Sequence, residues 1–96
     1  MYSIYILYSE KADKYYVGQS NDVDRRLEEH NTSLRNTYTS KYRPWRIAKV
    51  FEVGASLGKA RKIENHIKRQ KSRKYIQALI EKDSIEDLLK RFEDEG

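Results

Sequence analysis

The stretches SIYILY at residues 3–8 and YYVGQS at residues 15–20 decide the fold of this chain. Both are rich in aromatic and β-branched residues, and the polar segment between them is short enough for a hairpin loop. Alternation along two paired strands puts Tyr5 and Tyr16 on one face of the sheet, so we expect their hydroxyls to meet there. Gly18 on that face would let a substrate or a helix approach the backbone closely. Packing alone is the competing explanation for the tyrosines, which are common in strands.

The middle of the chain continues with a helix, a loop and a third strand. Asn21 or Asp22 offers an N-cap for a helix over residues 23–31. Residues 32–44 are polar, are dotted with aromatic side chains and end in the only proline, which predicts a loop. Residues 45–53, WRIAKVFEV, alternate as a strand does.

Three further helices are expected in the second half. Each follows a serine that offers an N-cap, namely Ser56, Ser72 and Ser84, and Ser84 has capping-box spacing with Asp87. The sequence therefore predicts an α+β fold, with a three-stranded antiparallel sheet flanked by helices in the order β-β-α-β-α-α-α. We assign residues 1–82 to one domain and residues 83–96 to an acidic C-terminal helix or tail.

Composition excludes several classes of site. The 96 residues include no cysteine, which rules out disulfides, thiolate zinc sites and cysteine nucleophiles. The N-terminal apolar run is too short for a secretory signal, and no segment is long enough to span a bilayer. A cytoplasmic location is therefore the default expectation, with no membrane partner.

The positive charge is concentrated in one block. Residues 54–82 carry nine Lys and Arg against two Glu, whereas residues 83–96 carry six acids against two bases. A basic block beside an acidic tail indicates a surface that binds a polyanion. A solvated helix face explains the same pattern equally well.

Polar residues stand where helical periodicity predicts the core. Arg26 and His30 occupy two of the four stripe positions in the first predicted helix, beside Val23 and Leu27. In the helix after Ser56, Glu64 falls within the arc of apolar residues on a helical wheel. A carboxylate beside the core must be paired or bind a cation. An internal ion pair with Arg26 or Lys68 is the alternative to a metal site.

These residues together resemble the signature of the GIY-YIG nucleases. S-I-Y at 3–5 is followed by Y-V-G-Q-S-N-D-V-D-R-R-L-E-E-H at 16–30 and by A-R-K-I-E-N-H-I-K at 60–68. Ser3 stands where the family has its first glycine. T-S-K-Y at 39–42 and I-K-R-Q-K-S-R-K at 67–74 resemble the small stand-alone bacterial branch.

The resemblance implies an activity and a set of site residues. By matching position, the catalytic residues are Tyr5, Tyr16, Arg26, His30 and Glu64. Glu64 is implied as the ligand of one divalent metal ion, Mg²⁺ or Mn²⁺, in an endonuclease that hydrolyses DNA. Repair and recombination are the pathways that the resemblance leaves open, with a larger repair or recombination protein as a candidate partner.

The DNA-binding surface is expected to comprise the basic residues around this site. Together with Gly18 they are Arg35, Lys41, Arg43, Arg61, Lys62, Lys68, Arg69, Lys71, Arg73 and Lys74. Tyr38, Tyr42 and Trp45 are expected to be available for stacking on unpaired bases. Two other functions stay open: a catalytically silent or slow DNA-binding accessory module, and a basic domain that contacts an acidic protein.

Overall fold

A computed structural model of the chain describes residues 1–32 and 37–93. Its three strands form one antiparallel sheet in the order β2-β1-β3, so the first strand is central. In chain order the elements are β1 (Tyr2–Ser9), β2 (Lys14–Ser20), α1 (Val23–Thr32), α2 (Tyr38–Lys41), β3 (Arg46–Gly54), α3 (Leu57–Arg69), α4 (Arg73–Ile80) and α5 (Glu86–Arg91). The predicted α+β class and the antiparallel three-stranded sheet are confirmed.

The central strand is buried on both faces because helices cover each side of the sheet. Ile4 and Ile6 point into the main core, while Tyr5 and Leu7 belong to a second cluster on the opposite face. All four side chains are at most 1% exposed. The near-continuous apolar run of β1 follows from this position, since an edge strand would alternate apolar and polar residues.

The main core lies between the sheet and the C-terminal helices. Ala60, Ile63 and Ile67 recur at helical spacing along α3 and pack on the strands. The second cluster is smaller, with Tyr5, Leu7 and Trp45 at its centre. Partly buried residues pack around it: Tyr16, Val23, Leu27, Tyr42 and Ile47. The candidate site belongs to this second, aromatic face.

Three of the predicted helix starts are confirmed by their caps. The Asp22 carboxylate accepts from the backbone N–H of Arg25 at 3.1 Å. Ser56 and Ser72 each accept from the backbone N–H three residues later, also at 3.1 Å. Each cap satisfies one of the backbone donors that a helix leaves unpaired at its first turn.

The predicted start of the last helix is wrong. Ile85, not Ser84, is the N-cap of α5, and it makes no side-chain capping bond. Ile85 is 1% exposed and belongs to the main core, together with Leu88. The burial of Ile85 therefore overrides the local capping-box spacing of Ser84.

Of the predicted loop at residues 32–44, Thr32 belongs to α1, residues 33–36 lie outside the described residues, and residues 37–44 include a short helix. Tyr38–Lys41 form the short helix α2, with Thr37 as a capping-box N-cap. Trp45 lies just before β3 instead of beginning it, and it is 3% exposed. Asn31 of α1 accepts from the Trp45 backbone N–H and donates to the Trp45 carbonyl oxygen. These two bonds hold the buried Trp45 against α1.

The C-terminal residues complete the main core. Leu88 is buried in it, and Leu89 and Phe92 pack against it. The boundary proposed at residues 82 and 83 stays a prediction. Among the helices that the structure describes, none is long and apolar enough to cross a membrane.

Candidate active site

A chain of hydrogen bonds links the central strand to α1 and α2. The Tyr5 hydroxyl lies 3.1 Å from Nε2 of His30, and Nδ1 of His30 lies 3.0 Å from the Thr39 hydroxyl. Thr39 is itself held by the indole N–H of Trp45, which donates to its carbonyl oxygen at 2.7 Å. His30 is 6% exposed. The imidazole is therefore fixed at both nitrogens before any ligand arrives.

Burial determines the charge of Tyr5 and His30. Burial raises the pKa of Tyr5, and this effect outweighs the opposing influence of the Arg26 guanidinium. Burial lowers the pKa of His30, and the positive charge of Arg26 lowers it further. Near neutral pH both groups are therefore uncharged. A neutral imidazole carries one N–H, so His30 donates to one of the two hydroxyls, Tyr5 or Thr39, and accepts from the other.

Gly18 determines where the Tyr5 ring lies. The two residues face each other across β1 and β2, and a Cβ atom at position 18 would overlap the Cζ and hydroxyl of Tyr5. The sequence predicts that this glycine admits a substrate or a helix. In the structure the ring of Tyr5 fills that space instead.

Tyr16 lies beside Tyr5 on the exposed side of the same face. Their ring centroids are 6.4 Å apart, and the Tyr16 ring meets the His30 ring edge-on at 5.0 Å. Tyr16, Arg26 and His30 line a cleft of about 520 Å³ together with Glu29 and threonines that include Thr39. The two tyrosines share one face of the sheet as predicted, and Tyr16 is the one that lines the cleft.

Arg26 brings a positive charge to the cleft from α1. Its Nη1 atom donates to a Glu29 carboxylate oxygen at 2.7 Å, and the Arg26 side chain is 37% exposed. The guanidinium is also close enough to Tyr5 to influence its ionisation. Only part of its set of donors is used by Glu29, so the guanidinium can still bind an anion in the cleft.

Glu64 approaches the site from α3, although it does not line the same cleft. Its Oε2 atom accepts from Lys68 Nζ at 2.8 Å, and its side chain is only 17% exposed. The Lys68 ammonium in turn lies 5.3 Å from the centre of the Tyr16 ring. The negative charge of Glu64 also contributes, after burial, to the raised pKa of Tyr5. Of the ion pairs considered from sequence, the structure has the one with Lys68, whereas Arg26 pairs with Glu29.

The donor set fits a weakly held divalent ion with a single protein carboxylate. Within residues 1–32 and 37–93, no three His, Asp or Glu side chains lie close enough to hold a metal ion together. Only one oxygen of Glu64 is used by Lys68. A carboxylate with room for water and substrate oxygens is the arrangement that Mg²⁺ favours, since it dehydrates reluctantly.

The basic residues surround the site unequally. Arg73 donates to both the backbone oxygen and the carboxylate of Asp13, so much of its hydrogen-bonding capacity serves the hairpin turn. Arg35 lies outside the described residues. The remaining predicted contacts are solvent-exposed: Lys41, Arg43, Arg61, Lys62, Lys68, Arg69, Lys71 and Lys74. Of the three aromatic residues expected to stack on bases, Trp45 is excluded because it is buried.

Two residues that orient the site have no signal in the sequence. Thr39 lies within the T-S-K-Y stretch, but its contact with His30 depends on how α2 folds over α1. Asn31 holds the backbone of Trp45 at both its N–H and its carbonyl group. Neither residue stands in a periodic pattern, so only the tertiary structure reveals its role.

Comparison with known proteins agrees with this geometry. The model of the GIY-YIG catalytic domain matches residues 1–76, which include all five predicted catalytic residues. No curated protein matches the chain significantly. Since the family model covers β1 through the first half of α4, the chain belongs to the GIY-YIG catalytic domain family.

Proposed function

We propose that this protein is a metal-dependent endonuclease that hydrolyses phosphodiester bonds in DNA. The observation that carries the proposal is the convergence of Tyr16, Arg26 and His30 on one cleft, with Tyr5 hydrogen-bonded behind it and Glu64 beside it. The cleft is polar, partly open and edged by cations, as the binding of a phosphate diester requires.

Arg26 binds the scissile phosphate in this mechanism. A planar guanidinium can donate two parallel hydrogen bonds to non-bridging oxygens, and its charge stabilises the pentavalent transition state. Glu29, which also lines the cleft, holds the guanidinium at 2.7 Å, so Arg26 needs little reorganisation when the substrate arrives.

Tyr16 receives the proton of the attacking water. Its ring lines the cleft, whereas the Tyr5 ring is 1% exposed and makes its hydrogen bond to His30. Tyr16 relays this proton, because its phenol oxygen accepts the proton of the water while its own proton passes to solvent in the cleft. The Lys68 ammonium beside the ring stabilises negative charge on that oxygen during the exchange. Tyr5 and Thr39 hold the His30 imidazole at its two nitrogens and so fix its orientation at the cleft.

Glu64 would hold the divalent ion, Mg²⁺ or Mn²⁺. When bound there, such an ion supplies a Lewis acid for the leaving 3′ oxygen. Lys68 forms an ion pair with Glu64 in the structure, and its ammonium also lies beside the Tyr16 ring. If a metal ion took its place on Glu64, Lys68 would stay within the site and contact a phosphate. The exposed lysines and arginines of α3 and α4 then hold the flanking backbone, so affinity should fall steeply with salt.

The proposal is tested by nicking of supercoiled plasmid, with and without Mg²⁺, by the parent protein, Glu64→Gln and Glu10→Gln. Glu10 is the matched control because it also forms one ion pair, with Arg46 at 3.0 Å, but lies away from the tyrosines. We expect metal-dependent nicking by the parent and Glu10→Gln, and a loss of at least about 100-fold in Glu64→Gln. Equal nicking by Glu64→Gln would refute the assigned role of this carboxylate.

A catalytically silent DNA-binding module is the second candidate, and one observation favours it. Glu64 is already neutralised by Lys68, so the fold has no need of a metal ion to balance this charge. Retardation of DNA by the parent protein without any nicking in Mg²⁺ or Mn²⁺ would select this function. For either function we propose a cytoplasmic role in DNA repair or recombination.

A further inference from the structure

A second groove begins at the active-site cleft and runs along the outer edge of β2. It has a volume of about 250 Å³ and is walled by the rings of Tyr15, Tyr16 and Tyr38, with Lys68 and Lys71 beside them. A smaller groove of about 230 Å³ continues from it between Tyr15, Tyr38 and Lys14. Tyr16 lines both the cleft and the first groove, so a chain leaving the cleft enters an aromatic channel.

Tyr38 is the exposed wall of this groove. Its side chain is 49% exposed, one of the few large apolar groups on the described surface. The ring is nevertheless held in place, since its centroid lies 6.4 Å from that of Tyr16 and 5.1 Å from that of Tyr42. Its backbone position at the start of α2 is fixed by the capping box of Thr37. An ordered and exposed ring offers stacking area at little cost in conformational entropy.

The chemistry of the groove matches a nucleotide whose base is unpaired. Flat aromatic walls stack on a base of any identity, and the lysine ammonium groups attract the phosphates on either side of it. Neither groove has an Asp or Glu among its described lining residues, so an anionic strand is favoured over a basic peptide. A paired base could not enter, because its faces are covered by its neighbours in the duplex.

We infer that the preferred substrate is DNA with at least one unpaired nucleotide beside the scissile phosphate, whose base stacks on Tyr38 in the groove. This inference rests on the proposed function, since it assigns to the same cleft the structure of its substrate. Selectivity comes from the cost of unpairing, which a bulge, a flap or a single strand has already met.

The test compares a 30-mer duplex with the same duplex carrying one bulged 5-iodouracil. Binding is measured by fluorescence anisotropy in EDTA, and light-induced crosslinks are mapped by mass spectrometry. We expect the parent protein to bind the bulged DNA about tenfold more tightly and to crosslink at Tyr38. In Tyr38→Ala the preference should largely vanish while duplex affinity persists, and Tyr38→Phe should retain the preference. The matched control is Val50→Ala, which removes another exposed apolar side chain, from β3.

The inference is overturned if the parent binds both DNAs equally, or if Tyr38→Ala weakens both to the same degree. Cleavage is then measured separately by adding Mg²⁺. Cleavage of both DNAs at equal rates, with no crosslink at Tyr38, refutes the stacking groove but supports the proposed nuclease activity. A bulge preference with a Tyr38 crosslink but no cleavage in any metal would support the stacking groove and refute the nuclease, because the groove would then belong to a DNA-binding module.

Discussion

The two faces of the central strand differ in what they bury. Behind Ile4 and Ile6, the main core is a cluster of buried aliphatic side chains and Phe51, completed by three helices from the second half of the chain. Behind Tyr5 and Leu7, the second cluster is aromatic, and its polar atoms are hydrogen-bonded to His30 and through it to Thr39. The first face consists of apolar packing, whereas the second holds polar groups in fixed positions at the cleft of the proposed nuclease. Substitutions should therefore affect stability on one face and catalysis on the other.

The largest expected effect is on the stability of the main core. Ile63 is fully buried, so Ile63→Ala should lower the free energy of unfolding by about 2–5 kcal/mol through lost burial and a cavity. Val50→Ala, at a position that is 40% exposed, should change it by less than about 0.5 kcal/mol. Urea denaturation measures both values. A cost below about 1 kcal/mol at Ile63 would contradict the assignment of this face as the stabilising core.

The aromatic face should show the opposite pattern. Arg26→Ala is expected to reduce the cleavage rate by about 100- to 1,000-fold, because the guanidinium stabilises transition-state charge. Its stability should change little, because its ion pair is with the exposed Glu29. Arg25→Ala is the control, since Arg25 also pairs with Glu29, at 3.7 Å, but is 63% exposed. Similar rate losses for Arg25→Ala and Arg26→Ala would remove the distinction between the two arginines.

A third prediction separates two glycines. Gly18→Ala should cost about 1–3 kcal/mol and displace the Tyr5 ring, because the added methyl group overlaps it. Gly58→Ala should instead stabilise the protein by roughly 0.5–1 kcal/mol, since it lies in α3 with its nearest neighbour at 3.8 Å. Thermal unfolding of the two variants gives the comparison. If Gly18→Ala is as stable and active as the parent, Tyr5 is not fixed as described.

The smallest effect is a dependence of stability on pH. Because the pKa of His30 is lowered in the folded protein, the unfolded chain binds a proton more readily as pH falls through about 6.5. The contribution of uncharged His30 to the free energy of unfolding is therefore complete above that pH and is lost as the pH falls below it. The pKa of His66 is lowered as well, by burial first and then by Arg91. Between pH 7.5 and 5.5, His30→Gln should flatten the decline in stability more than His66→Gln does, and the reverse order would contradict the burial of His30.

The apolar pattern and the alternation of the strands were sufficient to predict most of the fold. They placed Tyr5 and Tyr16 on one face, as the register of β1 and β2 confirms. They could not predict the start of α5, because Ser84 satisfies a local rule while Ile85 is drawn into the core by distant contacts. Local spacing and tertiary burial competed there, and burial prevailed.

The site was less predictable because its partners are set by tertiary packing. Helical spacing put Arg26 and His30 on one side of α1, but could not show that His30 bonds Tyr5 while Arg26 pairs with Glu29. Residues 32–44 carry no apolar period, so α2 and the contact of Thr39 with His30 were hidden. The sequence predicts that Trp45 is available for stacking on bases. In the structure its ring is buried, and its indole N–H donates to the carbonyl oxygen of Thr39.

The proposed nuclease depends on Glu64 as the ligand of a divalent metal ion beside Tyr5 and Tyr16. Titration with Mn²⁺, followed by paramagnetic broadening of backbone amide signals in NMR spectra, locates the ion without requiring cleavage. We predict that amides around Glu64, Tyr5 and Tyr16 broaden first, and that Glu64→Gln abolishes this while Glu10→Gln preserves it. Broadening that begins instead at the acidic residues Glu86 and Asp87, and is unchanged in Glu64→Gln, would contradict the account.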